Sequence, residues 1–242
     1  RYQLTADDVA RRWSKRTRGV IVASPSNPTG TSMTASQMQD MLAAVRTRDG
    51  FAVVDEIYQG LSYDHAPQSA LAFDPDVITV NSFSKYFNMT GWRLGWLVVP
   101  EALVPVFEKL AQNLFICPSA IAQHAALACF HPDSIAIYET RRREFQRRRD
   151  FLVPQLRSLG FEVPVMPDGA FYVYADIGQV AHKDHGDSAA FCMAVLRESA
   201  VAIVPGADFG FAAPLRHVRF SYGTALPRIE EAVERLRRLF AR

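Results

Sequence analysis

Apolar residues recur along the first hundred positions in two different rhythms. Across residues 5–15 and 34–47 they return every three or four positions, with Met38, Met41, Leu42 and Val45 on one side of the second stretch, and this predicts amphipathic helices. Thr5 stands before Asp7 and Asp8, which is the pattern of an N-cap followed by an acidic first turn. Short apolar runs at 19–23, 51–54, 77–80 and 94–99 separate or follow these stretches and predict strands. Their residues are apolar at successive rather than alternating positions, as in strands covered on both faces. Helices or loops lie between them, which predicts a mostly parallel sheet in an α/β domain.

From about residue 101 the pattern turns helical, over 101–113, 120–130 and a long stretch at 134–159. A strand-like run at 170–176, a helix at 188–199, short strands at 201–204 and 217–221 and a last helix at 228–240 predict a second, smaller α+β unit. No linker rich in Gly, Ser or Pro intervenes, so the expected boundary falls inside the long helix, near Arg143. The expected division is residues 1–143 and residues 144–242, without internal repeats or low-complexity segments.

Composition adds bounds. With 242 residues, 49% hydrophobic and 21% charged, the chain can bury one large core or two smaller ones. A formal net charge of +2 gives no argument for nucleic acid. The run from Arg141 to Arg149 holds six arginines in nine residues, yet Phe145 and Leu152 recur at helical spacing along this stretch; the arginines are expected to cover the solvated face of a helix. Cys117, Cys129 and Cys192 are odd in number, lie in apolar surroundings and form no CxxC pair, so they are expected to be core thiols of a reducing compartment. No charged-then-apolar leader and no bilayer-length apolar run is present; the expectation is a cytoplasmic protein without membrane insertion. His182 and His185 with Asp187 are metal-capable, but the polar, glycine-containing run around them reads as a loop, and no metal site is expected.

The chemistry gathers where proposed strands end. Ser24-Pro-Ser-Asn-Pro-Thr-Gly30 follows the first strand, Asp55-Glu-Ile-Tyr58 the second, and Asn81-Ser-Phe-Ser-Lys85 the third, and ligands of open parallel sheets bind at carboxyl ends of strands. Lys85 offers an amine that can form a Schiff base, while Ser82, Ser84 and Arg93 offer hydrogen bonds and positive charge to a phosphate. An aldehyde cofactor carrying a phosphate fits this set, and pyridoxal phosphate is such a cofactor. Singly, each residue has a bland reading: Asp55 as a helix cap, Tyr58 as packing, Asn27 as a turn former, Arg93 as half of an ion pair, Arg219 as an exposed edge residue, Gly169 and Gly206 as turn glycines. Trp92 and Trp96, which flank Arg93, read as core aromatics.

The segments SPSNPTG, VVDEIY, SFSKYFNMTGWRLGW, VPGADFG and HVRFSYG, in that order from the first strand to the last helix, resemble the pyridoxal-phosphate aminotransferases of fold type I, class I/II. The resemblance implies the aspartate aminotransferase fold, here as a partial large domain with a mostly parallel sheet plus a C-terminal small α+β domain. It implies Lys85 as the Schiff-base lysine, Asp55 at the pyridine nitrogen, and Tyr58 with Asn27 at the phenolic oxygen. Ser82, Ser84 and Arg93 match the phosphate-binding positions, and Arg219 with Asn27 the substrate-binding ones, Arg219 taking the α-carboxylate. The implied reaction moves an amino group from an α-amino acid to a 2-oxo acid by a ping-pong route, in a homodimer.

The same resemblance implies a sizeable N-terminal portion ahead of Arg1, so the chain is expected to be a carboxyl-terminal part with uncovered apolar surface and weak or no activity by itself. A carbon–sulfur β-lyase of the same fold uses the same residue set, and an aminotransferase-like effector domain of a transcription regulator is a further alternative. The aspartate-specific subgroup that takes a second arginine across the dimer is disfavoured, because the stretch from Asn113 to Ser119 has none.

Overall fold

The computed structural model describes residues 2–180 and 187–240. It divides into two compact units: one holds the chain through Ser26 together with Thr31–Arg142, the other holds Asn27–Gly30 together with the chain from Arg143 onward.

In the first unit a four-stranded sheet runs in the order β1 (Gly19–Ala23), β2 (Phe51–Asp55), β3 (Ile78–Ser82), β4 (Gly95–Val98). β1, β2 and β3 are parallel and β4 is antiparallel to β3, so the sheet is mixed at one side. Helices α1 (Ala6–Arg12) and α2 (Ala35–Arg46) begin at Thr5 and Thr34, each of which closes a reciprocal capping box with the residue three positions on, Asp8 and Gln37. The predicted apolar stripe of α2, Met38, Met41, Leu42 and Val45, is buried with Val9, Ala52, Val54 and Val77 in one core cluster. A second cluster joins Phe83, Met89 and Leu94 to Ala122 and Ala126 of α4 (Ala120–Leu127), Cys129, and Tyr138 of α5 (Pro132–Ser158).

Burial on both sheet faces holds only in part. Ile21 of β1 is 79% exposed, Leu97 and Val98 of β4 are exposed, and α3 (Val104–Phe115) has no buried residue. The cysteines divide as well: Cys129 and Cys192 are buried, whereas Cys117, just past α3, is exposed, which corrects its reading as a core thiol. Trp96 packs on the second cluster as expected, while Trp92, in a short 3-10 turn at Thr90–Trp92 that precedes β4, is exposed.

The second unit contains a three-stranded antiparallel sheet in the order β5 (Tyr172–Asp176), β7 (His217–Ser221), β6 (Val204–Pro205), with α6 (Ser188–Ser199) and α7 (Leu226–Phe240). β6 is shorter than the 201–204 run and lies later; it stops at Pro205, which has no N–H to carry the ladder on. Phe161 centres the core, with ring centroids 5.1 Å from Phe220 and 5.5 Å from Phe240. The arginine run of α5 is not simply a solvated face. Arg149 is buried and Arg148 mostly so, the latter paired with Glu144 at 3.0 Å, because carbonyl and carboxylate acceptors satisfy them. No helix among the described residues is long and apolar enough to cross a membrane. His182 and His185 lie outside the described residues, and no metal-binding cluster of His, Cys, Asp and Glu occurs among the rest.

Candidate active site

Three parallel strand ends are tied together one step beyond their paired register. Ala23 pairs with Asp55, and Asp55 with Val80. Ser24 N then donates to Asp55 O at 3.0 Å, and Glu56 N to Val80 O at 2.8 Å. Asp55 Oδ1 accepts from Ile57 N at 3.0 Å, which turns the chain and leaves Oδ2 without a hydrogen bond from the described residues. Glu56, 5% exposed, accepts from Ser69 Oγ at 3.0 Å and from Ala70 N at 2.7 Å. Burial pushes its carboxyl above the usual range; the two hydrogen bonds oppose that, and the charge of neighbouring Asp55 adds to it. Tyr58, buried, ends this turn.

The segment after β3 closes on itself. Phe83 N donates to Leu94 O at 3.0 Å, Ser82 Oγ donates to the same carbonyl at 3.2 Å and accepts from Ser84 N at 3.0 Å, and Thr90 Oγ1 donates to Ser84 O at 2.5 Å. Arg93 takes a left-handed backbone (φ 53°), uncommon for a residue other than glycine, and its Nη1 donates to Thr90 O at 2.8 Å and reaches Ser84 Oγ at 3.5 Å. Ser82, Ser84 and Arg93 therefore belong to one turn. Lys85 Nζ lies 5.5 Å from the centroid of the Tyr58 ring, which brings the predicted amine and phenol together. The next residue anchors this turn. The Tyr86 ring fills the space where a side chain at Gly60 would lie, 2.5 Å from Cγ, and its hydroxyl donates to Glu139 of α5 at 2.8 Å. Burial and that carboxylate push the Tyr86 phenol well up.

Asn27 and Arg219 meet in the second unit, 192 positions apart in sequence, where Arg219 Nη1 donates to Asn27 Oδ1 at 2.7 Å. The guanidinium lies between two rings, 4.3 Å from the Tyr172 centroid and 4.6 Å from that of Phe209. Its Nε is buried without a hydrogen-bond partner, and it has no carboxylate partner among the described residues. Sequence reasoning did not single out Tyr172 or Phe209. Phe209 lies inside the VPGADFG segment, but nothing in the spacing shows that it faces Arg219.

The model of the family described as aminotransferase class I and II matches residues 1–236. The chain belongs to this family. It is 40% identical over 221 residues to a valine–pyruvate aminotransferase of Mycobacterium tuberculosis, covering 90% of this chain and 56% of the relative. It is 33% identical over 244 residues to an aromatic-amino-acid aminotransferase of Thermococcus litoralis, covering 98% and 61%. Among solved structures, an aminotransferase from Mycobacterium tuberculosis superposes with a TM-score of 0.92 at 38% identity, covering 99% of this chain and 61% of that one. An aspartate aminotransferase from Thermotoga maritima gives 0.88 at 29%, covering 99% and 61%. The chain thus has the aspartate aminotransferase-like fold and spans about 60% of the length of the relatives it matches.

Family members use pyridoxal phosphate. The residues present fit that group. Arg93 is a cation with no carboxylate partner among the described residues, held beside two serine hydroxyls, the donor set a phosphate takes. Asp55 retains an oxygen open to a ring N–H, and Lys85 places an amine beside the Tyr58 ring.

Proposed function

We propose that the protein transfers an amino group from an α-amino acid to a 2-oxo acid, in two half-reactions, with pyridoxal phosphate held by this chain. The observation that carries the reading is the Lys85 amine beside Tyr58, next to a turn that offers hydroxyls and an arginine without a carboxylate partner. When bound, pyridoxal phosphate supplies an aldehyde that condenses with amines and a ring that accepts the electron pair left by a departing α-proton. Lys85 provides the amine that holds the cofactor and then moves a proton at the substrate α-carbon. Asp55 keeps a proton on the pyridine nitrogen, where a carboxylate favours the charged form. Tyr58 and Asn27 donate to the phenolic oxygen; Ser82, Ser84 and Arg93 bind the phosphate. Arg219, pre-set by Asn27 and two rings, takes the substrate α-carboxylate.

The names of the relatives span valine, aromatic and aspartate donors, so the reading stays at the class of α-amino acid. A cytoplasmic setting is supported by three free cysteines, and a homodimer by the apolar side chains exposed on α3 and α4. The test is the visible absorption of the protein with added pyridoxal phosphate, beside Lys85→Ala, followed by amino acids and analysis of the products. A band that requires Lys85, and its loss on adding an amino acid with release of the matching 2-oxo acid, is the expected result. Release of ammonia and a thiol from a cysteine conjugate instead would mean a lyase. A band indifferent to Lys85→Ala would overturn the proposed site.

A further inference from the structure

We propose that Arg149 is a positioning residue: from within α5 it fixes the segment 167–169 on which the Asn27–Gly30 turn rests, and so sets Asn27 against Arg219. The inference rests on the reading of Arg219 as the carboxylate-binding arginine.

Arg149 is 3% exposed although it lies in the most basic run of the chain. A guanidinium taken out of water is retained only where fixed acceptors meet it. Its Nε donates to Asp150 Oδ1 at 2.8 Å and its Nη1 to the carbonyl of Pro167 at 2.8 Å. The two residues after Pro167 direct their N–H groups at one acceptor, since Asp168 N and Gly169 N both lie 2.9 Å from Gly30 O. Gly30 has φ 65°, and a Cβ there would lie 2.7 Å from Tyr172 O and 2.8 Å from Pro167 Cβ, so the turn and the segment are in direct contact.

One helical turn before Arg149, Phe145 stacks on Phe171 with centroids 5.5 Å apart and planes at 26°. Residues four apart share a helix face, so α5 holds both ends of the segment 167–171. Between those ends Ala170 has φ 56°, a left-handed conformation that persists in a residue other than glycine only where surrounding contacts over-determine it. The chain of contacts then runs from Arg149 through Pro167, Asp168, Gly169 and Gly30 to Asn27, whose Oδ1 accepts from Arg219. Lysine cannot reproduce the Arg149 fork, because it is one point charge without donors set in separate, fixed directions.

The test uses the full-length protein with Arg149→Met and Arg149→Lys, each alone and combined with Asn27→Ala. In both variants the amides of Asp168 and Gly169 are expected to exchange hydrogen about tenfold faster or more, while amides of β5 and β7 keep their protection. The KM for the amino acid is expected to rise about tenfold with kcat within about threefold, and to change by less than about twofold when Asn27 is already alanine. Wild-type protection at Asp168 and Gly169, or an equal rise in KM with and without Asn27→Ala, would overturn the proposal. Where Arg149→Met fails to fold, Arg149→Lys is judged by the same criteria. Absence of any Lys85-dependent reaction in the wild-type protein would sink the reading of Arg219, and exchange at Asp168 and Gly169 would still decide whether Arg149 fixes the segment.

Discussion

Arg219 holds a full charge between the rings of Tyr172 and Phe209 with a buried Nε that bonds to nothing among the described residues. A donor left so is destabilising until an acceptor arrives, and a carboxylate accepts two parallel bonds from a guanidinium. Arg219→Lys, which keeps charge but loses the fork, is expected to raise KM for the amino acid by about tenfold or more in the full-length enzyme. An unchanged KM would remove Arg219 from the substrate site. Glu56 gives a second residue-level expectation. Its carboxyl is raised from 4.5 chiefly by burial, so the folded chain holds that proton more firmly than the unfolded chain. Its protonated form therefore favours folding below the unfolded value, and this contribution is lost as pH rises from 4.5 through the folded value. Glu56→Gln should flatten the fall in urea stability across that window; an identical slope in the variant would refute the assignment. Lys85, Asp55 and Arg93 were legible one by one in the sequence as residue types after strands, but the rings around Arg219 were not, because Tyr172 and Phe209 lie 47 and 10 positions from it and cation–π contacts follow no spacing rule.

At the scale of elements, the helices followed from caps and periodicity: Thr5 and Thr34 close their boxes, and the apolar stripe of α2 is the buried one. Arg141, Arg143 and Arg147 are exposed as the sequence predicts, whereas Arg149 departs from that solvated face, because a helix face is defined by what packs on it. Arg149 lies one helical turn from Phe145, and both meet the segment 167–171. The turn from Asn27 to Gly30 carries a sharper expectation. Gly30→Ala would force a left-handed alanine and bring its Cβ to 2.7 Å from Tyr172 O, and it should lower stability by about 1–3 kcal/mol in urea unfolding. A neutral result would show that this turn relaxes without harm. The shift of β6 from residues 201–204 to Val204–Pro205 was not legible, since short strands are chosen by their partner, here β7, more than by their own apolar content.

For the whole molecule, Leu110, Leu114, Phe115 and Ile116 in and after α3, with Ile121 and Leu127 of α4, are large apolar side chains left exposed, as at surfaces that meet other protein. The 242-residue chain is therefore expected to bind a hydrophobic dye and to associate in sedimentation, and Leu114→Glu with Ile116→Glu should reduce both. A chain that sediments as a monomer at high concentration without dye binding would contradict this. The sequence by itself determined the α/β class, the starts of α1, α2, α4 and α6 to within a residue, the order of the motifs and the residue types able to hold an aldehyde and a phosphate, because caps, periodicity and local turn chemistry act over a few residues. Only the tertiary structure decided which of those residues share a site. It brought Lys85 to the Tyr58 ring and Asn27 to Arg219, buried Arg149 and exposed Ile21, because strand pairing and packing join positions whose separation along the chain carries no signal of their contact.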